Sequence, residues 1–122
     1  MRTIVESVAT HSTTGSLGSI DVSALSGDFT LTLTIHSLTG AKRASICVQD
    51  SLDSFASDAT TQAAAENIAG PIGPPPGPPV VYTWRSYQLP SSRIGQASAK
   101  LRLFISSLDA GGTVITSLMI DQ

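Results

Sequence analysis

One cysteine, an aromatic fraction of 5% and a charged fraction of 13% leave little material for several kinds of chemistry. Cys47 alone closes no intrachain disulfide, and no CxxC or His-rich cluster offers a metal site, so the sequence asks for no cofactor. The 7 Lys and Arg residues against 9 Asp and Glu leave a formal charge of −2, and the basic residues are scattered apart from Lys42–Arg43. Phosphate binding needs a clustered positive footprint, which argues against nucleic acid as the main partner. The opening MRTIVESVATHSTTG lacks the apolar core of a signal peptide, and no run approaches the roughly 18 apolar residues of a membrane span. The expectation is a soluble chain made in a cytoplasm, with no membrane partner.

Histidine is scarce as well. His11 lies in a Ser/Thr-rich stretch near the N-terminus and His36 on the polar face of an alternating segment, so both read as surface residues and not as catalysts. Cys47 alternates with Ile46 and Val48 and reads as a small, partly buried side chain. General acid–base or nucleophilic catalysis needs a base beside a nucleophile and a third group to orient it. No such set stands out, so no catalytic residue is assigned and an enzyme is not expected.

What the sequence does have is period-2 alternation. In DFTLTLTIHS, Phe29, Leu31, Leu33 and Ile35 share one face and Thr30, Thr32, Thr34 and His36 the other, the pattern of a half-buried strand. KRASICVQDS repeats it with Ala44, Ile46 and Val48, after a turn at LTGAK whose Gly40 supplies permissive backbone, and the two segments read as a hairpin. Further strands are predicted at 3–9, 19–24, 80–89, 99–107 and 112–120, the last two joined by the turn DAGG. Seven short strands in 122 residues predict an all-β, single-domain antiparallel β-sandwich spanning 1–122, of jelly-roll type.

The region 52–79 breaks the pattern and reads as a long loop. Within it, SDATTQAAAENIAG is open between a short helix capped by Asp58 and a solvated loop. The loop ends in IAGPIGPPPGPP, residues 68–79, which holds six of the seven prolines. Gly70 and Gly73 suggest a collagen repeat, but Pro76 sits where the next glycine is required. An exposed polyproline II segment of about 30 Å is expected, long enough to reach a neighbouring molecule. The nearby carboxylates Asp50, Asp53 and Asp58 match no EF-hand spacing, and turn and capping roles account for them better than calcium does.

In VYTWRSYQL, Tyr82 and Trp84 fall on one face and Val81, Arg85, Tyr87 and Leu89 on the other. Trp84 reads as a core anchor, the alternative being a sugar-stacking platform. Phe104 shares its phase with Lys100 and Arg102 on what should be an outer face, which suggests a protein interface. The last strand is apolar on both faces, Val114, Leu118 and Ile120 against Ile115 and Met119, and should be covered on both. Residues 1–14 read as an arm whose Ile4, Val5 and Val8 add a strand to a neighbour's edge, the alternative being pairing within its own sheet. The candidate interface is therefore Ile4, Val5, Val8, Pro71, Pro74, Pro75, Pro76, Pro78, Pro79 and Phe104.

The stretch TGSLGSIDVSALSGDFTLTLTIHSLTGAKRASICVQDSLDSF, followed by YTWRSYQL and KLRLFISSLDAGGTVITSLMID, resembles the decoration or cement proteins on the capsids of tailed bacteriophages. The likeness spans Thr14 to Asp121; the proline segment departs from it. It implies a structural virion protein that binds the major capsid protein on the outer surface of the shell, as a dimer or trimer, and stabilises it. A carbohydrate- or receptor-binding module on a phage head fibre or tail is the alternative.

Overall fold

Leu31, Leu33 and Ile35 are fully buried while Thr30, Thr32 and Thr34 between them are half-buried, so hydrophobic alternation turns one face of this segment inward. The computed structural model describes residues 4–16, 19–25, 27–40, 43–73, 78–89 and 91–122, with side chains from Thr10 onward. Its strands are β1 (Ile4–His11), β2 (Ile20–Asp21), β3 (Thr30–Thr39), β4 (Arg43–Ser51), β5 (Thr60–Ala69), β6 (Val80–Arg85), β7 (Lys100–Leu108) and β8 (Thr113–Asp121). They form two antiparallel four-stranded sheets, β1-β8-β3-β6 and β2-β7-β4-β5, packed as a β-sandwich. One inner face supplies Leu31, Leu33, Ile35, Val114, Leu118 and Ile120, and the other Ile46, Val48, Leu101, Leu103 and Ile105. Burying such a side chain contributes about 1.5–3 kcal/mol, which makes this shared layer the main source of stability.

The chain is laid down as nested pairs. β1 pairs with β8, β2 with β7, β3 with β6 and β4 with β5, so each strand finds its counterpart from the other end of the chain. The pairs β3–β8 and β4–β7 then join the ribbons into sheets. This order corrects the expected hairpin of β3 with β4, because the turn after β3 crosses from one sheet to the other. Gly40 in that turn has φ +69°, and an added Cβ would lie 2.5 Å from the Gly111 carbonyl oxygen in the β7–β8 turn. Glycine is needed there for close approach as well as for conformation.

The long loop expected over 52–79 is also corrected, since ten of its residues, Thr60–Ala69, form edge strand β5. Its inward side chains are Ala63, Ala65 and Ile68, and pairing with β4 shifts register twice, between Ala44/Ile46 and Val48/Gln49. Small residues and bulges remove the large apolar alternation by which a strand is recognised. Neither the helix nor the solvated loop weighed for this stretch forms. The strand predicted over 19–24 is reduced to two ladder residues, after which Val22 N–H donates to the Ala99 carbonyl at 3.0 Å.

At the N-terminus, β1 pairs with β8 from Ile4↔Asp121 to His11↔Val114, the alternative weighed for this segment, and forms an edge strand of its own sheet. The side chains of Ile4, Val5 and Val8 lie outside the described residues. After β1, Gly15 exchanges backbone hydrogen bonds with Ile105, which fixes the chain just beyond the residues read as an arm. On β8 the inner residues Val114, Thr116, Leu118 and Ile120 are buried; the outer Ile115 and Met119 are half-buried.

Candidate functional site

The polyproline segment starts inside the fold. Ile68 ends a buried position of β5, and Ile72 is buried with both backbone groups bonded to Leu38 at 3.0 Å, so the first part of the segment is pinned across the sandwich edge. That corrects the expectation of one free rod over 68–79. Pro71, Pro78 and Pro79 are exposed, and Pro74, Pro75 and Pro76 lie outside the described residues.

On the outer face of β7, Lys100, Arg102 and Phe104 are aligned as their spacing predicts, and all are half-buried. Arg102 lies between two aromatic rings, its guanidinium carbon 4.1 Å from the centre of Phe55 and 5.3 Å from that of Phe104. Its Nε also donates to Gln49 Oε1 at 3.0 Å. A cation over a ring contributes about 0.5–1 kcal/mol at such partly exposed sites. Cys47, on the same face, is buried against this layer, with its thiol 3.6 Å from the Phe104 carbonyl, and burial pushes the thiol pKa up. Burial therefore disfavours the thiolate, the reactive form of the side chain.

Phe55 is positioned by a tightly bonded loop. Asp53 Oδ2 accepts from Ser57 N–H at 3.0 Å and Ser57 Oγ at 2.7 Å, and Oδ1 accepts from Ser51 Oγ at 2.8 Å and Asp58 N–H at 3.2 Å. Those bonds, with the Ser57 and Ser51 hydroxyls foremost, hold the Asp53 carboxyl at about 2. Because the folded pKa is depressed, the stabilisation is present above pH 3.8 and is lost as pH falls through about 2. The same bonds hold Ser54 and Phe55 at φ 55° and 63°, a left-handed pair that costs non-glycine residues on the order of 1–2 kcal/mol each.

Behind this loop sits a hydrogen-bonded polar cluster around Arg93, and sequence reasoning missed its centre. Arg93 donates from Nε and Nη2 to Asp50 Oδ1 at 3.1 and 2.7 Å, from Nη2 to Thr60 Oγ1 at 3.1 Å, and from Nη1 to Asp58 Oδ2. Its backbone N–H closes on Asp50 Oδ2 at 2.9 Å. Asp50 is completely buried, while the Arg93 side chain keeps 18% of its surface. The Leu52 N–H first and Arg93 second draw the Asp58 carboxyl below the usual range, and Asp50 then Asp58 raise the Arg93 guanidinium. The carboxylates weighed for calcium thus do converge, but two of them converge on a guanidinium. This cluster staples the 86–99 connection to β4 and β5 and is structural. Among the described residues no group of His, Cys, Asp and Glu is placed to hold a metal.

His11 departs most from its expected surface role. It is 3% exposed, with Nε2 3.5 Å from Thr116 Oγ1 on the inner face, and burial lowers its pKa from 6.5. The neutral ring is the form the fold prefers, so stability is complete above pH 6.5 and is lost as pH falls from there through the lowered folded value. Urea midpoints measured across that window should fall for the native chain and stay flatter for His11→Gln. His36 sits where β3 shifts register and bonds through Nε2 to Ser117 Oγ at 2.9 Å.

Tyr82 and Trp84 lie parallel on β6, centroids 6.3 Å apart and planes 14° from each other, both half-buried against the core. Trp84 thus packs against the core from the edge strand without being enclosed by it. The strand ends at Arg85, and a short 3-10 turn, Ser86–Gln88, leaves Tyr87 80% exposed. Tyr87 borders an open cleft of about 330 Å³ with Asp28, Thr30, Arg85 and Asp121. No family model, curated protein or solved structure matches the chain.

Proposed function

We propose that the chain is a structural module of a tailed-phage virion that binds the major capsid protein on the outside of the assembled shell, as a dimer or trimer, and stabilises it. The observation that carries this reading is the nested pairing of eight strands in two sheets, which we read as the jelly-roll order shared by many capsid and virion proteins. The sequence likeness to capsid decoration proteins points the same way. The buried polar cluster at Arg93 fits the reading too, since it serves the fold and presents no reacting group.

A shell repeats one site many times, so a small module that binds only the assembled state stabilises it by mass action. Phe104 is the side chain to test, because it is half-buried on an outer face and its replacement by aspartate sets a carboxylate beside Arg102, which favours retention of the fold. Phe104→Asp is expected to leave the circular dichroism spectrum unchanged and to weaken co-sedimentation with capsids by about tenfold or more. Undiminished co-sedimentation would remove this face from the interface, and failure of the native chain to sediment with capsids would defeat the reading itself.

A further inference from the structure

The turn that ends β6 holds an aromatic ring in water on a fixed frame. Arg85 N–H donates to Gln88 Oε1 at 2.7 Å, Ser86 N–H to the Phe29 carbonyl at 3.0 Å and Leu89 N–H to the Ser86 carbonyl at 3.1 Å. Leu89 and Phe29 on either side are buried, so the turn is anchored while Tyr87 stays 80% exposed. Most large apolar side chains described here are at least half-buried; Tyr87 and Val81 are the exceptions. An exposed ring on a preorganised turn loses little entropy when something stacks on it.

Apart from Phe29, the other residues of the wall carry polar side chains. Thr30 pairs with Arg85 on one side and Asp121 on the other, and Asp28 accepts from Ser86 Oγ at 3.4 Å. Beyond Thr30 the outer face continues as Thr32, facing Thr83, and then Thr34. Each hydroxyl can both donate and accept. We propose that this cleft, with the outer face of β3 beside it, binds a neutral oligosaccharide, with the Tyr87 ring as the stacking surface.

The charge balance chooses the ligand class. Two carboxylates against one guanidinium leave the wall net negative, which disfavours anionic sugars and phosphate esters. Arg85 in the same wall offsets part of the carboxylates' pull on cations. A neutral polyol is repelled by neither, and its hydroxyls can donate to Asp28 and Asp121 and accept from Arg85, bonds strengthened by the charged partner. At about 330 Å³ the cleft is at the lower end of the volumes that hold small ligands, which suits one or two sugar rings of a longer chain. The site does not depend on capsid docking, and the test uses the isolated chain.

Isotope-labelled protein should be titrated by NMR with maltohexaose, cellohexaose and the N-acetylglucosamine hexamer, alongside a heparin hexasaccharide and spermine. The expected result is saturable shifts from at least one neutral hexasaccharide, confined to 28–34, 83–88 and 121–122. Tyr87→Ala should weaken that binding by about tenfold while leaving the remaining spectrum in place, and Tyr87→Phe should retain it, because the ring face makes the contact. No binding of any neutral hexasaccharide at about 10 mM, weaker than any useful recognition, would overturn the proposal. So would binding unaffected by Tyr87→Ala, or binding of the heparin fragment or spermine alone.

Discussion

Deleting residues 1–9 is expected to do more damage than any single substitution, lowering the melting temperature by well over 10 °C or leaving no soluble folded protein. β1 covers one edge of β8, and six of its eight residue pairings, Ile4↔Asp121 to Ala9↔Thr116, go with the deletion. β8 carries Val114, Thr116, Leu118 and Ile120, all buried, so the truncation opens the core layer along one side as well as removing a ladder. A bared, apolar edge of that length is also a template for self-association. Thermal melts and gel filtration of the truncated chain measure both effects. If instead the truncated chain melted with the native one and stayed monomeric, the pairing of β1 with β8 would contribute nothing, and an arm that docks elsewhere would regain its force.

Arg93→Ala should be the most destabilising exchange of a charged residue. It leaves Asp50, wholly buried, without the guanidinium that donates twice to its Oδ1, only the backbone N–H bond to Oδ2 remaining, and it strips Asp58 and Thr60 of a shared donor. Removing one partner of a buried pair costs about 3–5 kcal/mol, much of it the uncompensated charge left behind. For a domain of this size that is a melting temperature lower by roughly 10–20 °C. Arg93→Ala combined with Asp50→Asn should cost less than the sum of the two single changes, because the second removes the charge stranded by the first. Denaturant midpoints for the four proteins give the coupling directly. Additive losses would mean that Asp50 is solvated by something other than Arg93.

Side-chain size decided how much of this was visible in the sequence. β3, β4, β7 and β8 announce themselves through Leu, Ile and Val at every second position, and the outward phase of Lys100, Arg102 and Phe104 follows from the same rule. β5 does not, because TTQAAAENIA fills its inner positions with alanine and is bulged against β4. Nor does local patterning say which strands pair: β3 and β4 are neighbours in sequence joined by a glycine turn, yet they belong to opposite sheets. The polar neighbours of His11 point to the surface, whereas its place is set by the register with Val114. Arg93 is a lone basic residue in a Ser-rich connection, and nothing within several positions of it signals that Asp50, 43 residues earlier, will be its partner. Sites built from long-range contacts leave no local trace, which also hides the cleft at Tyr87, assembled from three separate stretches of chain.

The most direct measurement of the proposed role is a cryo-electron-microscopy map of mature capsids incubated with the purified chain. The account predicts additional density of the size and shape of this β-sandwich on the outer surface of the shell, repeated at each equivalent local symmetry axis as a dimer or trimer, and capsids that withstand higher temperature before releasing their DNA. A map with a bare shell at saturating protein, and capsids that melt as they do without it, would contradict the account.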